Sequence, residues 1–98
     1  MVNAIVLMSV KRDQINETAE RIAGLPGVSE VYSVAGQYDL AVMVRAQDQE
    51  GLADLVTRRL LQEPGIQRSE TLFAFRVFSR YDLDHMFSIG LEPAPTSR

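Results

Sequence analysis

The sequence predicts an α+β fold in the order β-α-β-β-α-β, and three observations predict it. Two segments, one after Asp13 and one after Asp48, carry apolar residues at helical spacing. Leu25-Pro26-Gly27-Val28 and Glu63-Pro64-Gly65-Ile66 punctuate the chain in the same way, each after a helical segment and before a strand-like one. Between the halves, Gly36-Gln37 leaves room only for a tight turn between two apolar runs. Each half is thus a strand–helix–strand unit, and two such units joined by a hairpin give the ferredoxin-like split arrangement. Right-handed crossovers set both helices on one side of a single antiparallel sheet, with the first and third strands central.

Taken in order, Val2 to Ser9 is rich in β-branched and aliphatic residues and suits a strand. Asp13 is placed to cap a helix in which Ile15, Ala19, Ile22 and Ala23 share one face, while Glu17, Glu20 and Arg21 lie off it. Gly24 and Pro26-Gly27 stop that helix. Two strands follow, Val28 to Ala35 and Tyr38 to Arg45, with Gly36 free to take the positive φ of a tight turn. Asp48 caps a second helix with a stripe of Leu52, Leu55, Val56 and Leu60, and after Pro64-Gly65 the run Ile66 to Ser79 reads as a long last strand.

Composition bounds the function. Ninety-eight residues make one domain with a modest core, and a hydrophobic share of 46% with 23% charged residues is that of an ordinary globular protein. No Cys is present, which removes disulfides, thiolate metal sites and Cys nucleophiles and fits a cytoplasmic location. There is no signal-peptide layout and no long apolar run, so neither secretion nor membrane insertion is expected. Net charge is −3 without a Lys/Arg cluster, which argues against direct nucleic-acid binding.

The strands do not alternate as a sheet covered on one side should. The third offers Leu40, Val42 and Val44 on one face and Ala41 and Met43 on the other; the first sets Val2, Val6 and Met8 against Ile5 and Leu7. The last sets Phe73, Phe75 and Val77 against Leu72, Ala74 and Phe78. Two short helices cover only one of these faces, and each large side chain left in water forgoes about 1.5–3 kcal/mol of burial. A patch of that kind marks an interface, and a sheet-to-sheet homodimer is the simplest remedy. The alternative is that the C-terminal tail folds back over the face. That tail, residues 81–98 after a module of residues 1–80, includes Tyr81, Leu83, Met86, Phe87, Ile89 and Leu91, enough to dock on a partner subunit, with a short helix from about Asp82 to Gly90. The residues beyond Glu92 are expected to fray.

Chemistry is sparse. The single histidine, His85, has no accompanying ligand set for a metal, and the serines have neither a His/Asp arrangement nor a nucleophile elbow. No catalytic residue, metal or cofactor is expected. The polar residues that stand out are Tyr38 and Asp39 at the hairpin and Ser69, Glu70 and Thr71 at the start of the last strand. Asp39 has two readings: a turn aspartate that hydrogen-bonds local backbone, or a carboxylate that meets the ammonium of a small zwitterion beside exposed backbone near Gly36.

Gly36-Gln37-Tyr38-Asp39 before an apolar strand, then Pro64-Gly65-Ile66-x-x-Ser69-x-Thr71, resembles the ligand-binding (RAM) domain of the Lrp/AsnC transcription regulators over residues 2 to 79. The resemblance implies a ferredoxin-like α+β fold, dimers formed through sheet faces, assembly to tetramers or octamers, and amino-acid effectors bound between dimers. It implies that Gly36, Tyr38 and Asp39, with Gln37 between them, form the effector-binding hairpin, and that Ser69 and Thr71 line the same site. Family members often carry Thr before the Gly, where this chain has Ala35. Met1 leads straight into the first strand, so the chain is expected to resemble a stand-alone version without the helix-turn-helix. Its expected role is to sense an amino acid and to modulate full-length relatives through mixed oligomers. The runner-up is a small dimeric cofactor-free monooxygenase with its active site between sheet and helices. A third reading is a scaffold that binds nothing small.

Overall fold

The computed structural model describes residues 1–78. The expectations for the tail, for His85 and for Ser79 lie outside the described residues. Strand β1 (Val2–Val10) leads through a 3-10 turn (Arg12–Gln14) into α1 (Ile15–Ala23). Strands β2 (Val28–Ser33) and β3 (Leu40–Ala46) follow. Helix α2 (Gln49–Asp54) then continues through a π-helical turn (Leu55–Arg59) and a 3-10 turn (Leu60–Gln62) to β4 (Ile66–Ala74). The four strands form one antiparallel sheet in the order β2-β3-β1-β4, so β1 and β3 are central, as the crossover argument predicts.

Register decides which side chains share a face. Val6 pairs with Val42 on β3 and with Thr71 on β4, while Ile5 pairs with Met43 and Leu72. Ala4, Val6, Met8, Leu40, Val42 and Val44 therefore face the helices, where they meet Ile22, Leu52, Leu55, Val56 and Leu60 in one buried core. The second stripe is buried as its spacing predicts. On α1 the buried residues are Thr18 and Ile22, whereas Ala23 is exposed. Thr18 lies three residues after Ile15 and four before Ile22, so the helix turns a hydroxyl rather than Ala23 toward the sheet.

Three local expectations need correction. Asp13 does not cap α1. It sits inside a 3-10 turn opened by the Gln14 amide bonding the Lys11 carbonyl at 2.9 Å, and Gln14 precedes the helix without a side-chain cap. The hairpin is also wider than two residues, because β2 ends at Ser33 and β3 begins at Leu40. Asp39 spends its amide on the Met8 carbonyl of β1 at 2.9 Å, and its own carbonyl accepts the Val34 amide at 2.9 Å, which closes the loop at its base. Gly36 within it has φ +129, a conformation that glycine adopts without strain. Finally, β4 ends at Ala74, and Phe75, Val77 and Phe78 follow it as exposed non-strand residues.

The face away from the helices carries Ile5, Leu7, Ala41, Met43, Leu72 and Ala74 at its centre. Leu72 is 42% exposed and Tyr32 47%. Phe73 belongs to the helix side but is 62% exposed, since of the second helical segment it is the short terminal 3-10 turn that packs on β4.

Candidate functional site

The loop between β2 and β3 brings its residues to the end of β1. Asp39 is held there on both sides of its Cα: its amide bonds Met8, and its Oδ2 accepts the Val10 amide at 2.9 Å. The carboxylate thus completes the hydrogen bonding of a central strand where β3 has not yet begun. Tyr38 reaches over the open face of the sheet. Its phenol donates to Glu70 Oε1 at 2.9 Å, and the Arg68 guanidinium stands 5.1 Å from its ring centroid. Arg68 also donates through Nη2 to the Gln37 carbonyl at 3.3 Å, so β4 holds the loop by two side chains. The hydrogen bond to Glu70, with desolvation and the nearby carboxylate charge added, raises the Tyr38 phenol above its ordinary value of 10.0, and Arg68 opposes the shift. Tyr32 is raised in the same way by its 2.7 Å hydrogen bond to Glu30.

Ser69 and Thr71 lie on the other side. Ser69 pairs with Met8 and Thr71 with Val6, both of which face the helices. Within one protomer the sheet therefore separates Tyr38 and its neighbours from Ser69 and Thr71. Gly36, Gln37, Tyr38 and Asp39 are brought together by the loop; the two hydroxyls are not brought to them. Thr71 instead lines an apolar groove of about 160 Å³ with Leu52, Val56 and Phe73. Glu70, singled out in the sequence with Ser69 and Thr71, and Arg68, which was not, are the residues that do engage the loop; they alternate with the two hydroxyls along β4, so the strand's period of two was the signal that could have found Arg68.

A second concavity of about 260 Å³ opens on the bare face near the far end of β1. Ile5, Met43, Ala74 and Val77 give it apolar walls, and Arg45 and Glu30 also line it. Between sheet and helices, by contrast, the one buried polar side chain among the described residues is Thr18. Among the described residues no three His, Cys, Asp or Glu side chains converge as a metal site, and no helix is long and apolar enough to cross a membrane.

Comparison with known proteins agrees with this architecture. Residues 3–83 match the family model of the Lrp/AsnC ligand binding domain. An uncharacterised HTH-type transcriptional regulator of Pyrococcus horikoshii is 41% identical over 59 residues, which is 60% of this chain and 39% of the regulator. The chain thus spans about two fifths of the length of that curated relative. A crystal structure of a Thermus thermophilus protein superposes with a TM-score of 0.75 at 46% identity, covering 82% of this chain and all of that one. The Neisseria meningitidis transcriptional regulator solved as an L-Met complex superposes with a TM-score of 0.72 at 18% identity, over 81% of this chain and 53% of its own, and attests the fold. The fold, the strand order and the match along most of the sequence have one reading: the chain belongs to the Lrp/AsnC ligand-binding domain family.

Proposed function

We propose that this chain is an amino-acid-sensing and assembly module that acts in an Lrp/AsnC-type regulatory system in the cytoplasm. The observation that carries the reading is the match of residues 3–83 to a ligand-binding domain of transcription regulators, which is not an enzyme family. The L-Met complex of the Neisseria protein, which shares the fold, supports an amino acid as the class of effector. The apolar open face supports self-association through sheets, since Ile5, Leu7, Met43 and Leu72 would otherwise stay hydrated.

Under this reading Gly36, Gln37, Tyr38 and Asp39 form one wall of an effector site, and Ser69 and Thr71 belong to a wall supplied across an interface between copies, as dimers gather into tetramers or octamers. Ligand control follows if the effector binds one assembly state more tightly than another. Mixed assembly with full-length regulators would pass that preference on to a DNA-binding partner, while this domain's acidic balance keeps it off DNA itself. Isothermal titration against the twenty amino acids, at concentrations where the chain is oligomeric, tests the reading. Saturable heat with one or a few of them supports it, and the absence of heat with all of them removes it.

A further inference from the structure

We propose that the concavity on the open sheet face is a binding site for an α-amino acid with an apolar side chain, with Arg45 taking its carboxylate and Glu30 its ammonium. The inference rests on the effector-binding reading and adds a site separate from the loop around Asp39. Three observations carry it.

The first is that two opposite charges share one cavity and are not paired with each other. Arg45 and Glu30 both line the concavity, yet no ion pair within 4.0 Å joins them among the described residues. Each is instead held by a neutral neighbour. Arg45 Nε donates to Asn3 Oδ1 at 2.9 Å, and Glu30 Oε1 accepts the Tyr32 phenol at 2.7 Å. Among the described residues, the outer guanidinium nitrogens and the second carboxylate oxygen have no hydrogen-bond partner. A fixed guanidinium edge suits a carboxylate, and a fixed carboxylate suits an ammonium group. Fixing both side chains in advance lowers the ordering cost of binding.

The second is how Glu30 comes to be there. Val28 pairs with Val44 and packs against the core, and strict alternation would turn Glu30 to the same side. The register shifts between Val28 and Glu30, so Glu30 pairs with Met43 and joins the open face. A bulge at a sheet edge is a device that re-aims a side chain. Here it sets Glu30 diagonal to Arg45 on one face, a residue spacing of roughly 7–8 Å in an ordinary sheet. Two long side chains from such neighbouring positions can take the two ends of one zwitterionic head group.

The third is the lining and size. Ile5, Met43, Ala74 and Val77 offer hydrocarbon to a side chain. A volume of about 260 Å³ lies just below the roughly 300–1,000 Å³ of drug-sized sites, which fits a single small metabolite. A second copy seated on the open face would roof the cavity, so occupancy and self-association are expected to be linked.

The test is isothermal titration of the full chain with L-leucine, L-methionine and L-phenylalanine, and with two truncated probes, L-leucinol and 4-methylpentanoate. Arg45→Gln and Glu30→Gln are each expected to weaken L-leucine binding at least tenfold. In the Arg45→Gln variant the preference for L-leucine over L-leucinol should vanish, and in Glu30→Gln the preference over 4-methylpentanoate should. Glu50→Gln, at an exposed position of α2 outside both sites, should leave the affinity within about twofold. If Asp39→Asn abolishes binding while Arg45→Gln and Glu30→Gln do not, the effector sits at the loop, and this inference falls while the effector-binding reading stands. Binding confined to charged amino acids likewise overturns the inference alone. No heat from any of the twenty amino acids overturns both.

Discussion

Asp39 and Val10 are joined by a 2.9 Å hydrogen bond from the Val10 amide to the Asp39 carboxylate, twenty-nine residues apart in sequence. The bond gives Asp39 a structural task at the end of the central strand. Replacing Asp39 with Ala leaves the Val10 amide without that acceptor, and the expected loss is about 1–3 kcal/mol of unfolding free energy. Asp39→Asn keeps an oxygen acceptor and should recover most of it. Urea denaturation of the two variants measures the difference, and an equal loss in both would show that geometry is not what the bond supplies. Any loss of ligand binding in Asp39→Ala has to be read against this cost.

Tyr38 and Glu70 offer a pH-dependent counterpart. The phenol's titration is raised by its hydrogen bond to Glu70 above the ordinary 10.0. A group whose folded value is raised contributes stability that is fully present below its unfolded value and is lost as pH rises through its folded value. The Tyr38–Glu70 contact is therefore intact at neutral pH and weakens only in strong alkali. Tyrosinate absorbance, taken as the difference between the parent and Tyr38→Phe, should titrate above 10.0. Glu70→Gln should shift that difference curve downward.

Thr18 carries a fully buried hydroxyl with no hydrogen-bond partner among the described residues. It faces Gly65, where an added Cβ would lie 2.9 Å from the Thr18 Oγ1. Thr18→Val removes an unsatisfied polar atom while keeping the shape, so it should be neutral or stabilising by up to about 1 kcal/mol. Thermal unfolding checks it. A clear loss would mean that the hydroxyl has a partner in solution.

Gly27 sits at φ +95, and a Cβ there would meet Leu55 Cδ2 at 2.8 Å and the Arg45 carbonyl at 3.1 Å. Gly27→Ala combines backbone strain with a clash against the core, and about 1–3 kcal/mol should be lost from strain alone. Gly36→Ala is a useful contrast. It shares the positive φ but nothing lies within 4 Å of its absent Cβ, so it should cost less. Urea denaturation of the two variants side by side checks the order.

These particulars show what could be read in the chain beforehand. Strand order, the second helix stripe and the Asp48 cap were legible, because periodicity and capping are local: Asp48 Oδ1 does accept the Gly51 amide at 2.7 Å. Asp13 has the same look in sequence, yet a 3-10 turn intervenes between it and α1. The two Pro-Gly pairs look alike as well. Gly27 is needed for its φ, whereas Gly65 is buried against Thr18 and Gln14 with no positive φ. At the site, the loop residues stood out because a carboxylate in an apolar run is conspicuous. What did not stand out was its partner, since the Val10 amide is backbone and appears in no motif. Glu30 was hidden for another reason: its face depends on a bulge, and a one-residue slip reverses every side chain that follows.

Self-association through the outer face of the sheet is the proposal on which the account depends, and it is supported by the apolar Ile5, Leu7, Met43 and Leu72 there. Sedimentation equilibrium of the full chain, run up to millimolar concentration beside a Met43→Asp variant, tests this most directly. A dimer or larger assembly that Met43→Asp dissociates is the predicted result. A parent chain that stays monomeric throughout would contradict it.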